Sequence, residues 1–129
     1  MPVELNHTIV HSRDRQQSAE FLAHILGLEI SPVFGPFLPV STGNAVTLDF
    51  ATTPEESIVA QHYAFLVSDA EFDAAFARIQ EAGIDYYADP HLQRPNEINH
   101  NDGGNGVYFL DPSGHIMEII TRPYGSGSG

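Results

Sequence analysis

The chain contains an internal repeat, and this feature restricts its fold more than any other. His62 follows His7 by 55 residues, and the same shift aligns residues 7–14 with residues 62–69. In both copies a short apolar run begins at a histidine and ends at an aspartate. Because only two copies of this long period exist, the repeat indicates duplication of one supersecondary unit and not a solenoid.

Hydrophobic periodicity predicts the same order of elements in both copies. Each copy opens with a run rich in β-branched and aromatic residues, which predicts a strand at 5–11 and at 63–67. An amphipathic helix follows, with Asp14 or Asp69 as its expected N-cap. The glycines expected to end these helices are Gly27 and Gly83.

Three further apolar runs follow each helix and predict three strands per copy. They are residues 28–34, 37–40 and 45–50 in the first copy, and 86–88, 106–110 and 115–121 in the second. The expected repeat units are about residues 3–52 and 58–122, within one domain at 1–124. The glycine- and serine-rich tail at 125–129 is typical of an engineered linker.

Composition excludes several kinds of chemistry and partner. The formal net charge of −12 creates a field that repels nucleic acid and anionic membranes. The sequence has no Cys and no Lys, which excludes disulfides, thiolate nucleophiles and Schiff bases. No apolar run is long enough to span a membrane, and the N-terminus lacks the features of a signal peptide. We therefore expect a cytoplasmic protein that binds neither nucleic acid nor membrane.

Two histidines and one glutamate carry the strongest chemical signal. Glu118 lies in an apolar strand, so its carboxylate must be paired, protonated or bound to a metal, and an ion pair with Arg122 is the simplest alternative. His7 and His62 hold equivalent places in the two copies, although either one alone is typical of a core histidine. Two imidazoles and one carboxylate form the ligand set that holds Fe(II) and related divalent metals.

The segment 106–118 carries the most specific resemblance to a known family. Its sequence, Gly-Val-Tyr-Phe-Leu-Asp-Pro-Ser-Gly-His-Ile-Met-Glu, resembles the closing hairpin of the vicinal oxygen chelate superfamily. This superfamily includes glyoxalase I, extradiol dioxygenases, fosfomycin-resistance transferases and bleomycin-resistance proteins. The resemblance covers about residues 3–123 and implies an α+β fold of two tandem βαβββ units, which form a cup-shaped mixed sheet with flanking helices. It also implies that His7, His62 and Glu118 bind one divalent metal, of the kind of Fe(II), Mn(II), Ni(II) or Zn(II).

Several other residues are candidates for metal binding or proton transfer. Asp49 lies in the strand equivalent to that of Glu118, where glyoxalase I-like members carry a fourth ligand, but a solvated carboxylate fits the sequence equally well. Phe34 and Phe37 are interpreted as core or pocket wall. The polar loop after Pro90 is long enough to carry function. The candidate catalytic acids or bases are His100 in that loop, Tyr108 and His11.

The function expected from these residues is that of a small metal-dependent enzyme with dioxygenase-like or lyase/isomerase-like chemistry. Its substrate would be a small molecule that chelates the metal through neighbouring oxygens. The scarcity of cationic side chains disfavours a fosfomycin-type transferase. A binding protein that sequesters an aromatic or drug-like ligand, and an engineered metal scaffold, are the alternatives. We also expect a homodimer, because open units leave sheet edges to be covered.

Overall fold

The computed structural model describes residues 3–127, which form two compact α+β units that divide between Val59 and Ala60. In the first unit the strands are β1 (His7–Ser12), β2 (Phe37–Ser41) and β3 (Thr47–Thr52). In the second unit they are β4 (His62–Leu66), β5 (Tyr86–Tyr87), β6 (Gly106–Leu110) and β7 (Ile116–Ile120). The helices are α1 (Arg15–Leu26) and α2 (Asp69–Glu81), and single 3-10 turns occur at Glu55–Ser57 and Asn101–Gly103.

The two sheets repeat one pairing pattern. β1 runs parallel to β3, which pairs antiparallel with β2, and β4 runs parallel to β7, which pairs antiparallel with β6. Ile9 stands opposite Asp49 in the first ladder, and Ala64 stands opposite Glu118 in the second. Asp49 and Glu118 therefore occupy equivalent positions, and the predicted fold of two repeated units is confirmed.

The segment 28–34 differs from its prediction as a strand. It contributes isolated bridges from Ile30 to Val40 and from Phe34 to Phe37, so that residues 3–127 contain seven strands in place of the eight expected. The backbone N–H of Ser31 donates to Pro39 at 2.9 Å, so the segment does run beside β2. Proline at position 32 has no N–H to donate, which interrupts the ladder.

The helix starts agree with the sequence in one unit and correct it in the other. The Asp14 side chain accepts two backbone N–H groups of the first turn of α1, at 2.9 and 3.2 Å, as an N-cap should. The cap of α2 is Ser68 and not Asp69, because Ser68 and Glu71 form a reciprocal capping box. Gly27 ends α1 in the left-handed conformation, as predicted.

α1 packs against one face of the sheet in the first unit, and α2 contacts one face of the sheet in the second unit through Phe76 and Tyr86. The fully buried residues of these faces include Val10, Val40 and Phe50 in the first unit and Val107, Phe109, Met117 and Ile119 in the second. Since side chains alternate along a strand, the candidate site residues in strands lie on the opposite faces of the two sheets: His7, His11, Asp49, His62, Tyr108 and Glu118. No helix in the described part of the chain is long and apolar enough to cross a membrane.

Candidate functional site

A histidine and a glutamate meet on the face of the second sheet that lies opposite Met117 and Ile119. Nε2 of His62, on the edge strand β4, lies 2.9 Å from Oε1 of Glu118, on the neighbouring strand β7. The Glu118 side chain is 11% exposed and that of His62 is 45% exposed. Glu118 is therefore paired with His62, whereas the sequence left an ion pair with Arg122 as the simplest alternative.

Tyr108 completes this cluster from β6. It stands directly opposite Glu118 in the strand ladder, and its ring centroid lies 5.7 Å from that of His62. Burial raises the pKa of Tyr108, and a hydrogen bond to Glu118, the charge of Glu118 and the charge of Asp89 raise it further. The phenol therefore keeps its proton at neutral pH and donates it in a hydrogen bond to the Glu118 carboxylate.

The His62–Glu118 pair fits a divalent metal. Two ligand atoms that each lie about 2.1 Å from one ion, at an angle of about 90°, are about 3.0 Å apart. The observed separation of 2.9 Å agrees with this requirement. The Glu118 side chain is only 11% exposed, so a cation would compensate a charge held largely out of solvent.

The first unit presents an equivalent histidine and acid in a more open setting. Nδ1 of His7 lies 2.7 Å from Oδ1 of Asn6, and because an amide oxygen only accepts, Nδ1 carries the proton. Nε2 of His7 consequently keeps the lone pair that a metal or substrate needs. His7 and Asp49 both line an open depression of about 460 Å³ on this unit.

The structure brings together some of the predicted site residues. His62, Tyr108 and Glu118 form one cluster in the second unit, and His7 and Asp49 share the depression of the first unit. Within residues 3–127, no three His, Asp or Glu side chains gather closely enough to hold a metal. The three-ligand site and the role of Asp49 as a fourth ligand stay predictions.

The two candidate catalytic histidines have local hydrogen-bond partners. Nδ1 of His100 lies 2.8 Å from Oδ1 of Asn105 and 3.2 Å from the Gly104 carbonyl, within its own loop. Nδ1 of His11 lies 2.9 Å from the Thr53 hydroxyl, at the end of β1. Their roles as acids or bases also stay predictions.

Sequence reasoning did not single out Asp89, whose charge acts on Tyr108. Its carboxylate accepts the backbone N–H groups of Gln93 and Arg94 at 2.8 to 3.1 Å and so shapes the start of the long loop. A signal was available in the sequence, because an aspartate directly before a proline is typical of turn initiation.

Comparisons with known proteins identify the family of this chain. A family model described as the glyoxalase/bleomycin resistance protein/dioxygenase superfamily matches residues 4–119. The solved structure "Oxidase ChaP-H2" is 60% identical, with a TM-score of 0.95, and the match covers 99% of this chain and 100% of that chain. Glutathione transferase FosA of Serratia marcescens is 29% identical over 121 residues, which are 89% of this chain and 78% of that protein.

A third relative shows likeness of fold. A variant of the fosfomycin resistance protein FosX of Listeria monocytogenes, solved with Mn(II) and 1S,2S-dihydroxypropylphosphonic acid, is 19% identical with a TM-score of 0.72. That match covers 98% of this chain and 95% of the FosX chain. The family match spans nearly the whole chain, and the duplicated ladders are those of its fold. The chain therefore belongs to the glyoxalase/bleomycin resistance protein/dioxygenase superfamily.

Proposed function

We propose that this chain is a divalent-metal-dependent enzyme that oxidises a small molecule bound through two neighbouring oxygen atoms, with dioxygen as the oxidant. The observation that carries the proposal is the His62–Glu118 pair, whose 2.9 Å separation and buried carboxylate suit a metal. The choice of oxidation rests on the 60% identity to a protein described as an oxidase, over the full length of both chains. The Mn(II) in the FosX structure supports metal use in the wider family.

The proposed ligands are His7, His62 and Glu118. Two imidazoles and one carboxylate suit Fe(II), Mn(II), Ni(II) or Zn(II), and oxidation favours the redox-active ions among these. A bound ion would supply a Lewis-acidic centre with room for substrate oxygens and dioxygen.

The side chains around the ligand pair have separate tasks in this proposal. Tyr108 donates a hydrogen bond to Glu118 and so holds the carboxylate toward His62. A proton carrier besides the ligands is needed to ionise a substrate hydroxyl, and His100, Tyr108 and His11 are the proposed carriers. Of these, Tyr108 lies against the ligand pair, but its raised pKa keeps the phenol protonated at neutral pH. It would therefore donate a hydrogen bond, while His100 or His11 would accept the proton of the substrate hydroxyl.

We also propose a homodimer in which His7 of one subunit joins His62 and Glu118 of the other. β1 and β4 are edge strands of their sheets, and they expose Ile9 and Leu66 to 42% and 62%. Mixing His7→Ala protein with Glu118→Ala protein should restore roughly a quarter of the metal sites, because half of the dimers are hybrid and each hybrid holds one intact site. A monomer that retains its metal at micromolar concentration would contradict this arrangement.

The oxidation is tested by measuring turnover of the metal-loaded and the chelated chain under air and under nitrogen. The substrates are catechols, 2-oxoaldehydes and epoxides, which separate oxidase, lyase and transferase chemistry. We expect oxygen uptake that requires both metal and air. A rate that survives chelation would disprove metal catalysis. Tight binding of an aromatic ligand without turnover of any substrate would favour the sequestration alternative.

A further inference from the structure

The depression of the first unit is lined by both apolar and polar residues. The apolar lining, called the aromatic wall below, includes Phe34, Phe37 and Pro39, and the polar lining, called the polar wall, includes Thr47, Asp49 and His7. Its volume of about 460 Å³ lies inside the usual range for small-molecule pockets, roughly 300–1,000 Å³.

The aromatic wall is exposed but held in place. Phe34 is 75% exposed, which is unfavourable for a large apolar side chain unless something covers it. Phe34 and Phe37 exchange two backbone hydrogen bonds of 2.9 and 3.0 Å, which close a tight turn. The turn needs glycine at position 35, where φ is +58°, and the Arg15 guanidinium donates to the Gly35 carbonyl at 3.3 Å. The two rings are therefore presented by a constrained backbone.

The polar wall contains an acceptor that lacks a donor. In the second unit, the Tyr108 phenol stands opposite Glu118 and donates to it. At the equivalent position in the first unit, Pro39 stands opposite Asp49 and has no side-chain donor. Within residues 3–127, no side-chain hydrogen bond or ion pair engages the half-buried Asp49 carboxylate. A ligand hydroxyl would fill the place that Tyr108 takes in the other unit.

The charge around the depression selects against anions. None of its lining residues is Arg, the chain contains no Lys, and Asp49 contributes negative charge. A carboxylate or phosphonate placed there would meet the like charge of Asp49, with no Arg or Lys among the lining residues to offset it.

We infer that this pocket binds an uncharged hydroxylated aromatic molecule, whose ring packs against Phe34 and Phe37 and whose hydroxyl donates to Asp49. The inference deepens the proposed function, because it names the class of ligand that the chain would bring to the metal. Only the reaction that follows binding rests on the proposed function. Binding itself depends on residues of the first unit alone and can be measured separately from turnover.

The test is calorimetric titration of the full chain after chelation, so that no affinity comes from a metal. The probes are 2-naphthol, 2-methoxynaphthalene, which lacks the donor, and 2-naphthoate, which carries a charge. We expect 2-naphthol to bind at least about tenfold more tightly than either relative, since only 2-naphthol can donate a hydrogen bond to the charged Asp49 carboxylate. Equal affinity for 2-naphthol and 2-methoxynaphthalene would overturn the role of Asp49.

Two variants test the aromatic wall, and a third tests the charge. Phe34→Ala should weaken 2-naphthol binding about fivefold to tenfold, whereas Val33→Ala, at an exposed neighbour outside the pocket lining, should leave it unchanged. Asp49→Asn should reduce the preference for 2-naphthol over 2-naphthoate, because it removes the repulsion between the Asp49 carboxylate and the carboxylate of 2-naphthoate. Unchanged binding in Phe34→Ala would overturn the pocket.

Metal uptake of the same proteins separates the two proposals. If the parent chain shows no selectivity for 2-naphthol but still oxidises its substrate in a metal-dependent way, only the proposed ligand pocket is overturned. Selective binding by a chain that takes up no metal would overturn only the proposed function.

Discussion

Asp49 and Glu118 occupy the same place in two copies of one ladder, yet their surroundings differ. Glu118 faces a tyrosine that donates to it and a histidine at 2.9 Å. Asp49 faces Pro39 and opens onto a depression of about 460 Å³. In a duplicated strand pair, the acid of one unit is thus held in a hydrogen-bonded cluster and the acid of the other is open to a depression, and the two differ in the residue opposite the acid.

The hairpins that precede these acids show a second difference. The Thr42 backbone N–H donates to the Val46 carbonyl at 2.9 Å, and the Asp111 N–H donates to the His115 carbonyl at 2.9 Å. The Thr42 hydroxyl also donates to Val46, whereas Oδ1 of Asp111 accepts the N–H groups of Ser113 and His115. Oδ2 of Asp111 is buried and has no hydrogen-bond partner in the described chain, and burial raises the pKa of Asp111. The same turn can be closed by a neutral hydroxyl or by a buried carboxylate, and only the carboxylate makes it sensitive to pH.

The largest expected effect comes from removing each acid in turn. Glu118→Ala should lower affinity for Fe(II) or Mn(II) by more than about a hundredfold, which exceeds the usual effect of losing an outer partner. Asp49→Ala should retain metal, because its carboxylate is assigned to the ligand pocket. Elemental analysis after dialysis measures the metal content of both variants. Equal losses would make Asp49 a fourth ligand and remove the distinction between the units.

Tyr108→Phe tests whether the donor opposite Glu118 prepares it for metal. The variant keeps the ring near His62 but removes the hydrogen bond, so we expect metal affinity to fall about tenfold to a hundredfold. Tyr86→Phe is the matched control, since Tyr86 packs edge-on against Phe76 of α2 on the other face of the sheet. Competition with a fluorescent chelator gives both affinities, and identical values would show that the phenol has no part in the site.

Pro39→Tyr places a phenol opposite Asp49 and so gives the first unit the arrangement of the second. The new ring should occupy the pocket and donate to Asp49, which lowers 2-naphthol affinity by at least about tenfold. Tyrosine suits a strand position, so the fold should persist. Metal uptake is the internal control and should not change. Undiminished binding of 2-naphthol would show that the residue opposite the acid does not decide the difference.

The smallest expected effect concerns the pH dependence of the two hairpins. Because the folded pKa of Asp111 is raised above its unfolded value, the stability that its proton contributes is present below about pH 3.9 and is lost as pH rises through the folded pKa. Asp111→Asn keeps an oxygen acceptor and removes the buried charge. Its free energy of unfolding at pH 7 should exceed that of the parent by up to about 1 kcal/mol, and the difference should vanish in acid.

Urea unfolding of both proteins across this pH range measures the effect. Thr42→Ser, at the equivalent turn, should show no such pH dependence because it carries no charge. A variant Asp111→Asn that is less stable than the parent at neutral pH would show that the buried carboxylate stabilises the hairpin.

Much of the fold was predictable because local patterns repeat along the chain. The shared spacing of histidine, aspartate and glycine predicted two units, and the alternation around Glu118 predicted its strand and face. The prediction failed where two local signals competed. The segment 28–34 has the apolar content of a strand but a proline that breaks the ladder, and Ser68 competed with Asp69 for the start of α2.

The sequence by itself determined the duplication, the placement of both acids in the last strand of each unit, and the histidine at the start of each first strand. Only the tertiary structure decided which residues face those acids, with Tyr108 opposite Glu118 and Pro39 opposite Asp49. The physical reason is that facing residues depend on strand register. A slip of one residue would turn every side chain of a strand to the other face. Register is therefore set by the burial of residues such as Phe50 and Met117 and by the hairpin turns.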